Sequence, residues 1–183
     1  MKIKLRKKFL NLRKKRYFEL SDHQKSFVVK KIFNVCKNHK KKVLGIYYPI
    51  NYEVNLIKVA NILKKKKIQV ALPVVETGNR MNFRAWNDYE PLFVNKFGIL
   101  EPDIKNKKIV PQVIIVPLLS YDDQKNRLGY GRGYYDRFLS KTSNKKNIIS
   151  IGMAFSFQKS KKIPVEKHDK QLDYILNEKE LIS

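Results

Sequence analysis

Apolar residues recur at three- and four-residue intervals early in the chain, give way to short continuous apolar runs, and then alternate between the two patterns. Period 3.6 marks amphipathic helices, and short β-branched runs mark strands. Residues 1–18 carry Ile3, Leu5, Phe9 and Leu12 at helical spacing and predict a first helix. Leu20-Ser21-Asp22 offers an N-cap, after which Phe27, Val28, Ile32, Phe33 and Val35 predict a second helix reaching Asn38. Lys42 to Tyr48 (KVLGIYY) reads as a strand closed by Pro49, and Val54 to Lys65 as a helix with Val54, Ile57, Ala60, Ile62 and Leu63 on its rhythm. Ile68 to Val75 reads as a buried strand, and Met81 to Trp86 alternates as a half-buried one. Asn87 to Val110 shows no clear period and is expected to be irregular.

Val113 to Leu119 (VIIVPLL) is the most apolar run, as expected of a central parallel strand covered on both faces. A polar, glycine-bearing loop follows (SYDDQKNRLGYGRG), then helical spacing in YYDRFLSK, a strand over Ile148 to Met153, and a short element near Tyr174 to Leu176. Strands alternating with helices predict an α/β fold: a mostly parallel central sheet with helices on both sides. No internal repeat or linker interrupts the 183 residues, so residues 1–183 are expected to form a single domain.

Composition narrows the class. Hydrophobic residues make up 43% of the chain, enough for a sizeable core, and no apolar run approaches the roughly 20 residues that span a bilayer. The basic start, MKIKLRKKFLNLRKKRYF, is not followed by the long apolar stretch of a secretory signal. The single cysteine, Cys36, has no partner for an internal disulfide and reads as buried filler, which fits a reducing cytoplasm. His23, His39 and His168 lack zinc-finger and HExxH spacing.

Charge is the most extreme feature: 40 Lys and Arg against 16 Asp and Glu give +24. Such an excess favours phosphates and anionic surfaces and raises the reading of an RNA-associated protein. Against that, the excess is mostly lysine in runs (Lys40 to Lys42, Lys64 to Lys67, Lys105 to Lys108), alongside abundant Asn and Ile, three residue types that share A/T-rich codons. A solvated basic surface accounts for the runs, and no RNA-binding signature is present. Neither specific nucleic acid nor membrane is expected as a partner, and the oligomeric state is open.

Candidate chemistry gathers after the central strand, since ligands of open α/β sheets bind beyond the carboxyl ends of strands. Gly129, Gly131 and Gly133 alternate there, a spacing that lets backbone N–H groups close on an anion. Arg127, Arg132 and Arg137 add guanidinium forks, the following helix presents its positive end, and Asp136 is a candidate ligand for Mg²⁺. The pattern is neither a Rossmann nor a Walker sequence, and by itself it leaves a tight loop and a phosphate site both open.

VPLLSYDDQKNRLGYGRGYYDRFL resembles, nearly position by position, the signature of the 5-formyltetrahydrofolate cyclo-ligase (methenyltetrahydrofolate synthetase) family. The likeness extends to Lys2 and Arg6 as its N-terminal K-x-x-x-R element, and to YYPINYEVN, LPVV, FGILEP, IGMAFSFQ and PVEKHDKQLD. It implies a three-layer α/β/α sandwich and an ATP- and Mg²⁺-dependent ligase. The implied reaction turns 5-formyltetrahydrofolate into 5,10-methenyltetrahydrofolate through a phosphorylated formyl intermediate, releasing ADP and phosphate.

By the same resemblance, Lys2, Arg6 and the segment Arg127, Leu128, Gly129, Tyr130, Gly131, Arg132, Gly133, Tyr134 and Tyr135 contact ATP. Arg132, Lys2 and Arg6 meet the transferred phosphoryl charge. Glu53 contacts the folate, joined by Tyr130, Gly131, Arg132, Gly133 and Tyr134 from the loop, and Asp136 and Asp169 hold Mg²⁺.

Plain structural readings stand beside these. Lys2 and Arg6 also fit a basic surface helix, Glu53 a helix first turn, Asp169 a turn or cap, Tyr134 and Tyr135 core aromatics, and His168 a structural residue. Two positions depart from the family pattern: Arg132, where lysine or glycine is usual, and Asn55, where an acidic or hydroxyl residue is usual.

Overall fold

The computed structural model of the chain describes residues 1–78, 80–143 and 147–183. Helix α1 (Lys2–Arg16) is built from strong helix formers without Gly or Pro, and its last turn places Arg13 to Arg16 against the negative end of the helix dipole. It buries only Phe9 and Arg13, one turn apart on one face. Helix α2 (Asp22–Asn38) opens with a capping box: Ser21 Oγ accepts from Gln24 N at 3.2 Å, and Gln24 Oε1 accepts from Ser21 N at 2.9 Å.

Strand β1 (Val43–Gly45) leads to α3 (Ile57–Lys65), β2 (Gln69–Glu76) and β3 (Arg80–Ala85). The short strands β4 (Leu92–Val94), β5 (Leu100–Pro102) and β6 (Lys108–Ile109) precede the central β7 (Val113–Pro117). Then come the hairpin β8 (Ser120–Tyr121) and β9 (Arg127–Leu128), helix α4 (Tyr134–Ser143), and strands β10 (Ile149–Met153), β11 (Tyr174–Leu176) and β12 (Leu181–Ile182).

The main sheet runs β12-β11-β10-β7-β1-β2-β3-β6. Five consecutive strands, β11, β10, β7, β1 and β2, pair in parallel, and β12, β3 and β6 pair antiparallel. The continuous apolar run of β7 is sorted by the pleat. Val113 and Ile115 join the core with α2 and α3, whereas Ile114 and Val116 join Phe138 and Leu139 of α4 on the opposite face. The result is the expected α/β arrangement with helices on both sides. Phe9 of α1 packs in a third cluster with Leu119, Leu128 and Ile163, beyond the end of β7.

The structure corrects several boundaries. The first helix ends at Arg16, because Tyr17 is already extended. The strand expected over Lys42 to Tyr48 is regular only from Val43 to Gly45. The helix expected from Val54 begins at Ile57, where Asn55 Oδ1 accepts the Ile57 N–H at 3.1 Å and closes a turn ahead of it. Asn87 to Val110 contains the β4–β5 hairpin and β6, whose two- and three-residue strands are too short to show a period.

Candidate active site

A cleft of about 800 Å³ opens at the carboxyl ends of β1, β2 and β7. Tyr47 and Tyr48 follow β1 into its wall, β2 supplies Pro73 and Val75, and β7 supplies Pro117. The chain leaves β1 toward β2 on one side of the sheet and leaves β7 toward β10 on the other, so the cleft sits where the strand order reverses. Such a volume suits a drug-sized ligand or larger.

The glycine loop, the start of α1 and the segment before β11 all line this cleft. Arg6 Nε donates to Gly129 O at 2.9 Å, fixing α1 against the loop. Gly131 has φ +96°, a backbone that strains any side-chain-bearing residue, and a Cβ there would crowd the Arg6 guanidinium at 3.0 Å. Gly133 has φ +65° and precedes the first turn of α4. Leu128 lines the cleft from a side chain otherwise buried with Phe9 and Leu119.

Lys2 and Arg6, one turn apart on α1, share a face as their spacing predicts, and both line the cleft. Lys2 Nζ pairs with Asp169 Oδ2 at 2.6 Å and Glu166 Oε1 at 3.1 Å. Burial works against the Lys2 ammonium, but the two carboxylates outweigh it and raise its pKa. Burial likewise pushes the Asp169 carboxyl up, and the bonds from Lys2 and the Glu166 N–H more than reverse this. Arg127 holds Asp136 Oδ1 at 2.6 Å and Lys170 O at 2.6 Å, while Lys170 N donates to the same Asp136 oxygen at 3.1 Å. Its fork therefore braces the loop against the 169–170 segment rather than projecting into solvent.

Asp136 and Asp169, 33 positions apart in sequence, thus meet the same short segment and face one cleft. Among the described residues no three His, Cys, Asp or Glu side chains cluster to hold a metal alone. Two carboxylates fit Mg²⁺, which commonly takes one or two protein carboxylates and completes its shell with water and phosphate oxygens. One oxygen of each is already paired, Asp136 Oδ1 with Arg127 and Asp169 Oδ2 with Lys2, so the pair suits a metal that arrives with its own phosphate ligand and not one held by the protein alone.

Glu53 is buried at 4% exposure and stands ahead of α3, not in its first turn, so the helix-dipole reading of this residue fails. Its Oε1 accepts from the Tyr130 hydroxyl at 2.6 Å and its Oε2 from Ile50 N at 2.9 Å. Burial raises its pKa to about 7, against the pull of Tyr130, Arg13 and the Ile50 N–H. The loop tyrosines divide. Tyr130 points its hydroxyl at Glu53, Tyr134 stands 6.3 Å from the Phe97 ring, and Tyr135 has its phenol pKa raised by burial and by the Glu53 charge. Arg132 is exposed and lies 4.2 Å over Phe97, at the tip of the β4–β5 hairpin. His168 is exposed beside Glu166 at the rim.

Three contributors are not singled out as site residues by the sequence. Phe97 lines the cleft from a segment expected to be irregular. Asp122 is buried and shapes the loop, its Oδ1 accepting from Gln124 N and Asn126 N and its Oδ2 from Ile163 N at 2.9 Å. Arg13 is 1% exposed in a helix full of solvated cations. Its signal is positional, one turn beyond the core residue Phe9, where a charge on the apolar stripe demands a partner.

The likenesses to known proteins agree with this geometry. A 5-formyltetrahydrofolate cyclo-ligase of Mycoplasma genitalium is 32% identical over 168 residues, covering 86% of this chain and 88% of its own. One from Haemophilus influenzae is 29% identical over 164 residues, with coverage of 86% and 87%. The solved structure of Aquifex aeolicus 5,10-methenyltetrahydrofolate synthetase superposes with a TM-score of 0.78 at 30% identity, covering 98% of this chain and 91% of that one. With residues 1–178 matching the family pattern as well, the sheet, the cleft and the glycine loop have one common origin: the chain belongs to the 5-formyltetrahydrofolate cyclo-ligase family.

Proposed function

We propose that residues 1–183 act as a single-domain, cytoplasmic enzyme that uses ATP to convert 5-formyltetrahydrofolate into 5,10-methenyltetrahydrofolate, releasing ADP and phosphate. The observation that carries this reading is one cleft lined by a cation- and glycine-rich loop, the cations of α1 and a buried carboxylate. Phosphates suit the first two, and the N–H edge of a pterin suits the third.

The formyl oxygen attacks the γ-phosphorus of ATP, and ADP leaves with the bonding electron pair. The resulting phosphate ester of the formyl carbon converts a poor leaving group into a good one. N10 of the folate then attacks that carbon, its proton is lost, and phosphate departs with the former formyl oxygen. Such chemistry asks the protein for positioning and charge stabilisation rather than a covalent nucleophile. Lys2, Arg6 and the N–H groups of the 129–133 loop hold the polyphosphate, and Arg132 faces the transferred group. Asp136 and Asp169 would hold Mg²⁺ together with phosphate oxygens, supplying charge neutralisation there. Tyr130, Tyr134 and Glu53 orient the folate.

Neutralising Lys2 and Arg6 together tests the polyphosphate end. Each loses a charge-assisted bond, so the KM for ATP is expected to rise about 100-fold or more, given roughly 1.5–3 kcal/mol per such bond. Lys14 and Lys15, exposed on the same helix, form the control, and their neutralisation is expected to change KM less than about twofold. Equal effects of the two pairs would mean that diffuse charge attracts ATP and that α1 holds no specific site.

A further inference from the structure

Arg13 is a guanidinium at 1% exposure, and the partners its nitrogens bond are all neutral. Nε donates to Asn51 O at 2.8 Å, Nη1 to Leu118 O at 3.2 Å, and Nη2 to the Tyr130 hydroxyl. Removing a cation from water costs several kcal/mol unless an anion answers it. The answering charge lies one residue further on. The Tyr130 hydroxyl, accepting from Arg13, donates to Glu53 Oε1 at 2.6 Å, so cation and carboxylate are joined through a single phenol. The bond directions are consistent throughout, because a hydroxyl accepts and donates at once.

From this chain of bonds we propose that Arg13 is a positioning residue for substrate binding: through the Tyr130 hydroxyl it fixes Glu53, the carboxylate that receives the folate. The proposal rests on the function given above and names a residue that the family signature in the sequence does not single out. A direct Arg–Glu pair would occupy the carboxylate's acceptor sites. With one bond from Tyr130 on Oε1 and one from Ile50 N on Oε2, each oxygen keeps a second lone pair for a ligand N–H. The fork also stitches the 51–53 turn to the end of β7, which a lysine's single ammonium would do less well.

The charged and titratable groups facing Glu53 come from four places. Arg13 on α1 favours its ionised form, as does the Tyr130 hydroxyl from the glycine loop, while Tyr47 after β1 and Tyr135 on α4 interact with its charge. Loss of Arg13 or of the Tyr130 hydroxyl therefore moves Glu53 toward its neutral form. The pH at which folate affinity is half-lost should then rise.

The test uses the full chain and three variants: Tyr130→Phe, which removes one hydroxyl, Arg13→Lys, which keeps charge without the fork, and Arg13→Met. Equilibrium binding of 5-formyltetrahydrofolate and of ATP is measured separately across pH 5.5–9. Tyr130→Phe and Arg13→Lys are each expected to weaken folate binding about tenfold, more than ATP binding, and to move the pH limb upward. A fourth protein combining Tyr130→Phe with Arg13→Lys should lose little more than either single variant, since both changes break one relay. Should Arg13→Met fail to fold, the other two still decide the matter. Folate affinity and its pH limb unchanged in Tyr130→Phe would overturn the relay while leaving the wild-type reaction standing. Equal losses for folate and ATP would likewise overturn it in favour of a general structural role. A wild-type protein that binds no 5-formyltetrahydrofolate would overturn the proposed function together with the relay.

Discussion

Asp136→Asn should lower turnover by about a hundredfold or more at saturating ATP and raise the Mg²⁺ concentration giving half-maximal rate. Charge neutralisation at a transferring phosphoryl group contributes several kcal/mol, and each ~1.4 kcal/mol is tenfold in rate. Asparagine keeps the size and one oxygen of Asp136 but removes the negative charge that a hard cation prefers. The same change has a structural cost, because Arg127 is only 5% exposed and Asp136 is its carboxylate partner. Leaving that guanidinium without its anion lowers the unfolding midpoint, so rates must be compared well below it. Asp169→Asn should act in the same direction, and the double variant should lose less than the product of the single losses, as expected of groups acting as a unit. A variant that melts early yet keeps wild-type turnover and Mg²⁺ dependence would reduce Asp136 to the brace for Arg127.

Glu53→Gln should weaken 5-formyltetrahydrofolate binding roughly 10- to 100-fold, the loss expected for a bond to a charged acceptor, with a much smaller effect on ATP. Its pH dependence follows from burial. Burial holds the Glu53 carboxyl at about 7 in the folded protein, above its ordinary value of 4.5. Stability from this raised pKa is fully present below pH 4.5 and is lost as pH rises through about 7. At about 1.4 kcal/mol per unit, the window amounts to roughly 3 kcal/mol. Glutamine does not titrate, so its stability relative to wild type should improve across that window and level off above it. Folate affinity of the wild type should rise with pH through the same range and lose that dependence in the variant. Denaturant unfolding and ligand titration at pH 5, 6, 7 and 8 read both effects. A wild-type folate affinity flat across this range would separate Glu53 from the ligand.

Much of the fold was legible because its core elements carry strong local signals. The VIIVPLL run, buried on both faces, and the Ser21 N-cap each specify their element locally. The β4–β5 hairpin was not legible, because its three-residue strands hold together through pairing and through Asn95, whose Oδ1 accepts from Phe97 N and Ile99 N. Neither contact leaves a periodic trace.

In the site, the alternating glycines and the Lys2/Arg6 spacing could be read along the chain, since each depends on neighbours within a turn. The burial of Glu53 and Arg13 could not. It arises where α1, the 51–53 turn and the 129–133 loop converge across more than a hundred residues of chain. Phe97, which meets Arg132 and Tyr134, depends on the same kind of long-range closure.

The most direct measurement is to incubate the purified protein with 5-formyltetrahydrofolate and MgATP, following methenyl absorbance and ADP together. One ADP and one phosphate for each 5,10-methenyltetrahydrofolate formed, with no product when ATP is withheld, is the predicted result. Absence of methenyl product in the complete mixture, or product formed without ATP consumption, would contradict the account.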